Sequence, residues 1–121
     1  MQNNLADRLL RFAIDIVKLV ESLPQTTAGR RIGDQLLRSG TSVGANYEEA
    51  QGAESKNDFI HKLQISLKEI RETNYWLRVL AGSGIRPEVT LKQLVSESDQ
   101  LKSILSKAVA TAKGTAKKDS L

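Results

Sequence analysis

The chain has 121 residues with a formal net charge of +4, which is the length of a single domain able to bury a core of its own. Aromatic residues are only 4% of it, so that core must be built from Leu, Ile, Val and Ala, and the absence of cysteine removes disulfides and thiolate metal ligands and fits a reducing compartment. The opening "MQNNLADRLLRF" carries Asp7, Arg8 and Arg11 where a leader or a membrane span would be apolar, so a soluble cytoplasmic protein is the expectation.

The first predicted helix covers about 5–23. Leu5, Leu9, Phe12, Ile16, Leu19 and Leu23 recur at steps of three and four, and Pro24 stops the pattern. The second covers about 27–52, with Ile32, Leu36, Val43, Tyr47 and Ala50 on its apolar line and Gly40 in the missing turn. Gly40 either admits a close neighbour or marks a kink at "SGTS"; Gly52 reads as the helix C-cap.

Ser55 offers an N-cap for a third helix over about 55–81, with Phe59, Leu63, Ser66, Ile70 and Leu77 in line. The loop "GSGIRPEV" breaks the chain. Thr90, with Gln93 at capping-box spacing, then opens a fourth helix over about 90–112, through Leu91, Leu94, Val95, Leu101, Leu105 and Val109. No stretch alternates with period two, so the fold class is all-α. Short loops between four amphipathic helices imply an antiparallel up-and-down four-helix bundle over 1–112, followed by a basic, disordered tail over 113–121.

Polar residues flank the apolar lines of the second and third helices. By helical geometry Ser39 and Asn46 are half-buried, with Ser42 and Glu49 at the boundary. Lys62, Glu69, Thr73 and Trp76 share a stripe on the flank of the third helix. A half-buried Asn46 needs partners, so Ser39, Ser42, Asn46 and Glu49 against Lys62, Glu69 and Thr73 read as a structural polar seam fixing register.

No catalytic, cofactor or metal site emerges. Glu48, Glu49, Glu69 and Glu72 lack the Glu-x-x-His element of di-metal bundles, and His61, the one histidine, falls on the solvent side. Neither a nucleophile–base pair nor a phosphate loop is present. The expectation is therefore a protein that is not an enzyme and needs no cofactor.

Apolar residues also stand on the wrong faces. Leu10, Ile14 and Val17 lie away from the first helix's core line, and Ile65, Tyr75, Trp76 and Val79 away from the third's. Surplus apolar surface of this kind marks an interface, and a homo-oligomer is expected.

Charge is spread evenly. Residues 1–53 carry six basic and six acidic side chains, while 54–86 and 87–121 carry six and four each. Half of the excess lies in "KGTAKKDSL", leaving a folded body near +2, which is not the dense basic face of a dedicated nucleic-acid binder.

The stretches "RSGTSVGANYEEA" and "SKNDFIHKLQISLKEIRETNYWLR", followed by a Leu-rich last helix, resemble the small bacterial four-helix-bundle proteins related to the intervening-sequence protein of large-subunit ribosomal RNA genes. The resemblance runs from Leu5 to about Lys113. It implies a bundle assembling into a ring, typically a homopentamer, of unestablished activity. Distant relatives are the accessory variability proteins of diversity-generating retroelements, which engage nucleic acid or the polymerase through a basic ring surface. Ser42, Asn46 and Glu49, with Lys68, Glu69, Arg71, Glu72, Tyr75 and Trp76, match the family's motifs. The resemblance implies structural and assembly roles for them, and adds Glu72 to the interface set.

Two functions emerge as expectations. One is a ring-forming interaction or scaffold protein with an unidentified protein partner. The other is a nucleic-acid-binding accessory protein in which five subunits pool Arg30, Arg31, Lys113, Lys117 and Lys118.

Overall fold

In the computed structural model, which describes residues 4–114, the chain forms α1 (Asn4–Glu21), α2 (Thr27–Gln51), α3 (Lys56–Ser83) and α4 (Glu88–Lys113). Each helix packs on the next in sequence and α4 returns to α1 through a thinner contact, with the diagonal pairs apart. This is an all-α, antiparallel up-and-down four-helix bundle. The predicted apolar lines meet at its centre. Leu9, Phe12 and Ile16 join Leu36, Val43, Leu63, Ile70, Leu77, Leu91, Leu101 and Leu105, each at most 2% exposed.

The helix ends obey local chemistry. Residues 22 and 23 leave α1 in a tight turn, Ser22 N–H donating to Leu19 O at 3.0 Å and Leu23 N–H to Val20 O at 3.2 Å, so α1 stops short of the Leu23 suggested by periodicity. Thr26 caps α2 by accepting from Gly29 N–H at 3.0 Å. Ser55 caps α3 by accepting from Asp58 N–H at 3.0 Å, and Gly52 closes α2. Helix α3 continues past Ala81 to Ser83 and ends where Gly84 takes φ +74°, a left-handed conformation that glycine adopts without strain.

The fourth helix begins at Glu88 rather than Thr90, with Pro87 in the N-cap position, so the capping-box reading of Thr90 gives way to a proline start. Lys113 is the last residue of α4, and Gly114 caps it at φ +80°. The remainder of the predicted tail, Lys117 and Lys118 included, lies outside the described residues.

Helix α2 runs unbroken through "SGTS", so Gly40 marks a close approach and not a break. A Cβ on Gly40 would stand 2.8 Å from Ile16 Cγ2 and 2.9 Å from its Cγ1. One on Gly44 would meet Leu9 Cβ at 3.3 Å. The α1–α2 register is therefore set by side chains of α1 lying where α2 has none.

Ile16 is fully buried and β-branched, so it has nowhere to turn. Gly40→Ala should overpack the seam at a cost of about 1–3 kcal/mol, against a helix-propensity gain of about 1 kcal/mol. Gly82, with nothing within 4 Å of an added Cβ, is the control, and Gly82→Ala should stabilise by about 0.5–1 kcal/mol. Urea midpoints distinguish the two; equal stabilisation by both would remove the close approach as the reason for Gly40.

Candidate assembly surface

Helices α2 and α3 are joined by polar groups from core to rim. At the centre, Ser66 Oγ donates to the Val43 carbonyl at 2.7 Å, and both residues are fully buried. One level along, Thr73 Oγ1 lies 2.9 Å from Ser39 Oγ and 2.8 Å from the Glu69 carbonyl. A carbonyl only accepts, so the Thr73 proton serves Glu69 and Ser39 supplies the proton of the other bond.

At the rim, Lys62 Nζ pairs with Glu49 at 2.7 Å, and Arg38 bridges Glu69 at 3.1 Å and Glu72. Trp76 Nε1 also donates to Glu72, at 3.0 Å. These hydrogen bonds, Arg38's first and Trp76's second, hold the Glu72 carboxyl below the ordinary carboxylate range.

Of the predicted seam, Ser39, Glu49, Lys62, Glu69 and Thr73 meet across the two helices. Asn46 and Ser42 turn back on their own helix. Asn46 Nδ2 donates to Ser42 O at 2.9 Å and Ser42 Oγ to Arg38 O at 2.6 Å, so Asn46 finds its partner without crossing to α3. Arg38, the hub, is absent from that set because its reach across the groove has no periodic signal.

A second polar contact lies between α3 and α4. Asn74, 3% exposed, donates to Ser98 Oγ at 2.7 Å and to Asp99 Oδ1 at 3.0 Å, and accepts from Arg78 Nε at 2.9 Å. Ser98 passes its own proton to Val95 O. Asn74 stands four residues after Ile70 and three before Leu77, so spacing alone places it in the core. Between α1 and α4, Arg8 grips Glu97 with two bonds, 3.0 and 2.7 Å, beside an open groove of about 530 Å³.

Two outer faces remain. On the α1–α2 side Leu10, Ile14, Val17 and Leu37 are 62%, 44%, 40% and 41% exposed. Leu37 is missing from the outward set expected from the sequence; in the doublet Leu36–Leu37 only one residue can face the core. On the α3 side Tyr75 is 51% exposed, with its ring edge-to-face against Trp76 at 5.2 Å and under the Arg78 guanidinium at 5.9 Å. Ile65, Trp76 and Val79 are half-buried, and Trp76 packs against the core instead of turning outward.

Charge is segregated in a way that even counts along the chain conceal. Lys68, Arg71 and Arg78 line the exposed stripe of α3 that includes Tyr75, and Lys92 stands across the α3–α4 groove from Arg78. Among the described residues none of these four is in an ion pair; the paired cations there are Arg8, Arg38, Lys62 and Lys102.

The predicted nucleic-acid residues do not gather. Arg30 and Arg31 are exposed at the start of α2, whereas Lys113 is exposed at the end of α4, at the opposite end of the bundle. About 30 Å of helix separates the two levels, at roughly 1.5 Å per residue from Arg30 to the end of α2. His61 is exposed. Among the described residues no three His, Cys, Asp or Glu side chains converge as a metal site would require, and no helix is long and apolar enough to cross a membrane.

A family model for the 23S rRNA-intervening sequence protein matches residues 2–107. The chain belongs to that family. A solved structure agrees: a protein with unknown function from the S23 ribosomal protein family of Bacteroides thetaiotaomicron, 37% identical, superposes with a TM-score of 0.81. The match covers 87% of this chain and 97% of that one. No functionally curated protein matches. The intervening-sequence family thus comes with a fold and without a stated activity, and neither description names an enzymatic reaction.

The two asparagines make opposite predictions within this family member. Asn74→Leu removes two bonds across the α3–α4 contact and one within α3, and should cost about 1–3 kcal/mol. Asn46→Leu, at a half-buried site bonded within its helix, should stay within about 0.5 kcal/mol of wild type. Denaturant midpoints decide, and an Asn46 variant as unstable as the Asn74 variant would show that Asn46 bridges helices after all.

Proposed function

We propose that this chain is a self-assembling interaction module, a ring of identical four-helix bundles that presents a repeated surface to a macromolecular partner. The observation that carries this reading is the apolar ridge of Leu10, Ile14, Val17 and Leu37, all at least 40% exposed although the core beneath is complete. Four large aliphatic side chains on one two-helix face form the kind of patch that a soluble chain covers by association. Identical chains usually do so in closed symmetric assemblies. Likeness to the intervening-sequence proteins favours five subunits. Repetition then supplies function, since weak contacts made by each copy add up when the copies are fixed relative to one another.

A second reading, nucleic acid as the partner, draws on the exposed Lys113 at the end of α4, with Lys117 and Lys118 next in sequence. A ring with its axis along the bundles would bring all the α4 ends to one rim, with Arg30 and Arg31 at the other. Phosphate binding there has a plain signature: affinity that falls steeply as salt rises, where docking of an apolar protein surface does not.

Light scattering after size exclusion tests the assembly itself. The full-length chain at micromolar concentration should elute as a single species several times 13.3 kDa, with five subunits the favoured count. A mass of one chain would end the reading.

A further inference from the structure

We infer that assembly is head to tail: the α1–α2 ridge of one copy docks into the α3–α4 face of a second copy. This rests on the self-assembly reading above and adds which surface meets which.

The two faces differ in apolar content and in charge. The ridge has Leu10, Ile14 and Val17 at steps of four and three along α1, with Leu37 of α2 also exposed. On the opposite side of the bundle a groove of about 330 Å³ runs between α3 and α4, with Ala81 and Val95 along it and Arg78 and Lys92 at its edges. Tyr75 and its stacked Arg78, the residue types that dominate binding energy at interfaces, stand at the lip.

Charge makes the pairing directional. Exposed carboxylates border the ridge at Asp7, Glu21, Asp34 and Glu48, against the cations Lys18 and Arg30. The α3–α4 face carries unpaired Lys68, Arg71, Arg78 and Lys92, and the one carboxylate in its groove, Asp99, is already engaged by Asn74 and Lys102. Ridge against ridge would bring carboxylates together, and groove against groove would bring guanidinium groups together; ridge against groove places opposite charges across the contact. Since the two faces lie on opposite sides of the bundle, each copy offers one of each, and such contacts propagate until they close.

Two variants each disable one face. Leu10→Asp puts a carboxylate on the ridge, and Tyr75→Asp puts one in the basic face; both sites are more than half exposed, so helical content by circular dichroism should be unchanged. Each variant alone should run as a monomer of 13.3 kDa, because every contact needs both faces. Mixed in equal amounts they should form a species of two chains and nothing larger, pairing the intact groove of Leu10→Asp with the intact ridge of Tyr75→Asp. A mixture that stays monomeric while wild type assembles would overturn head-to-tail docking, as would a mixture that recovers the full wild-type mass. Retention of the wild-type mass by either variant alone would overturn it too, by showing that its face is not used. A monomeric wild type would instead overturn the self-assembly reading on which this one stands.

Discussion

The close approach of α1 and α2 governs both the core of this molecule and its outer surface. Ile16 and Leu9 occupy space that α2 leaves empty at Gly40 and Gly44, so the two helices can meet in essentially one register. That register gives the core its depth at this seam, with Ile16, Leu36 and Val43 all at 0% exposure. It also shapes the exterior. Val17 and Leu37 flank that seam on the outside, 40% and 41% exposed. The register that fills the core therefore also fixes how the apolar residues of the two helices line up on the outer face.

The other seams are fixed by polar bonds. Ser66 on the Val43 carbonyl, Ser39 with Thr73, and Asn74 with Ser98 each sit among aliphatic side chains that would tolerate sliding by a turn. A displaced register would strand these groups in the core, at roughly 1–3 kcal/mol each. The α1–α4 contact lacks any such buried pair among the described residues and depends on the Arg8–Glu97 bridge at the rim. Of the four seams, it is the one best able to loosen without disturbing the others.

Helix number, order and core lines were legible in the sequence because three-and-four spacing is a property of the chain itself. Capping at Ser55 was legible for the same reason, being a contact between near neighbours. What spacing could not supply was the partner of a long side chain. Arg38 reaches α3, Asn46 stays on α2, and Trp76 lies against the core with its N–H on Glu72; in each case a three-dimensional choice among several residues within reach decided the outcome. Charge shows the limit differently. Counts along the chain are nearly even, yet the exposed stripe of α3 and its groove with α4 gather Lys68, Arg71, Arg78 and Lys92, while Asp7, Glu21, Asp34 and Glu48 outnumber Lys18 and Arg30 around the ridge, a division visible only once the faces exist.

Under the function proposed above, this member of the intervening-sequence family works through its surfaces, an apolar ridge and a basic groove on one small bundle. If association completes the fold, unfolding is coupled to dissociation and the thermal midpoint must depend on protein concentration. Thermal melts of the full-length chain over a wide dilution series measure that directly. The account predicts a midpoint that rises steadily with concentration; a midpoint that stays constant over the whole series would mean that the ridge is covered by nothing and that the folded unit is the single chain.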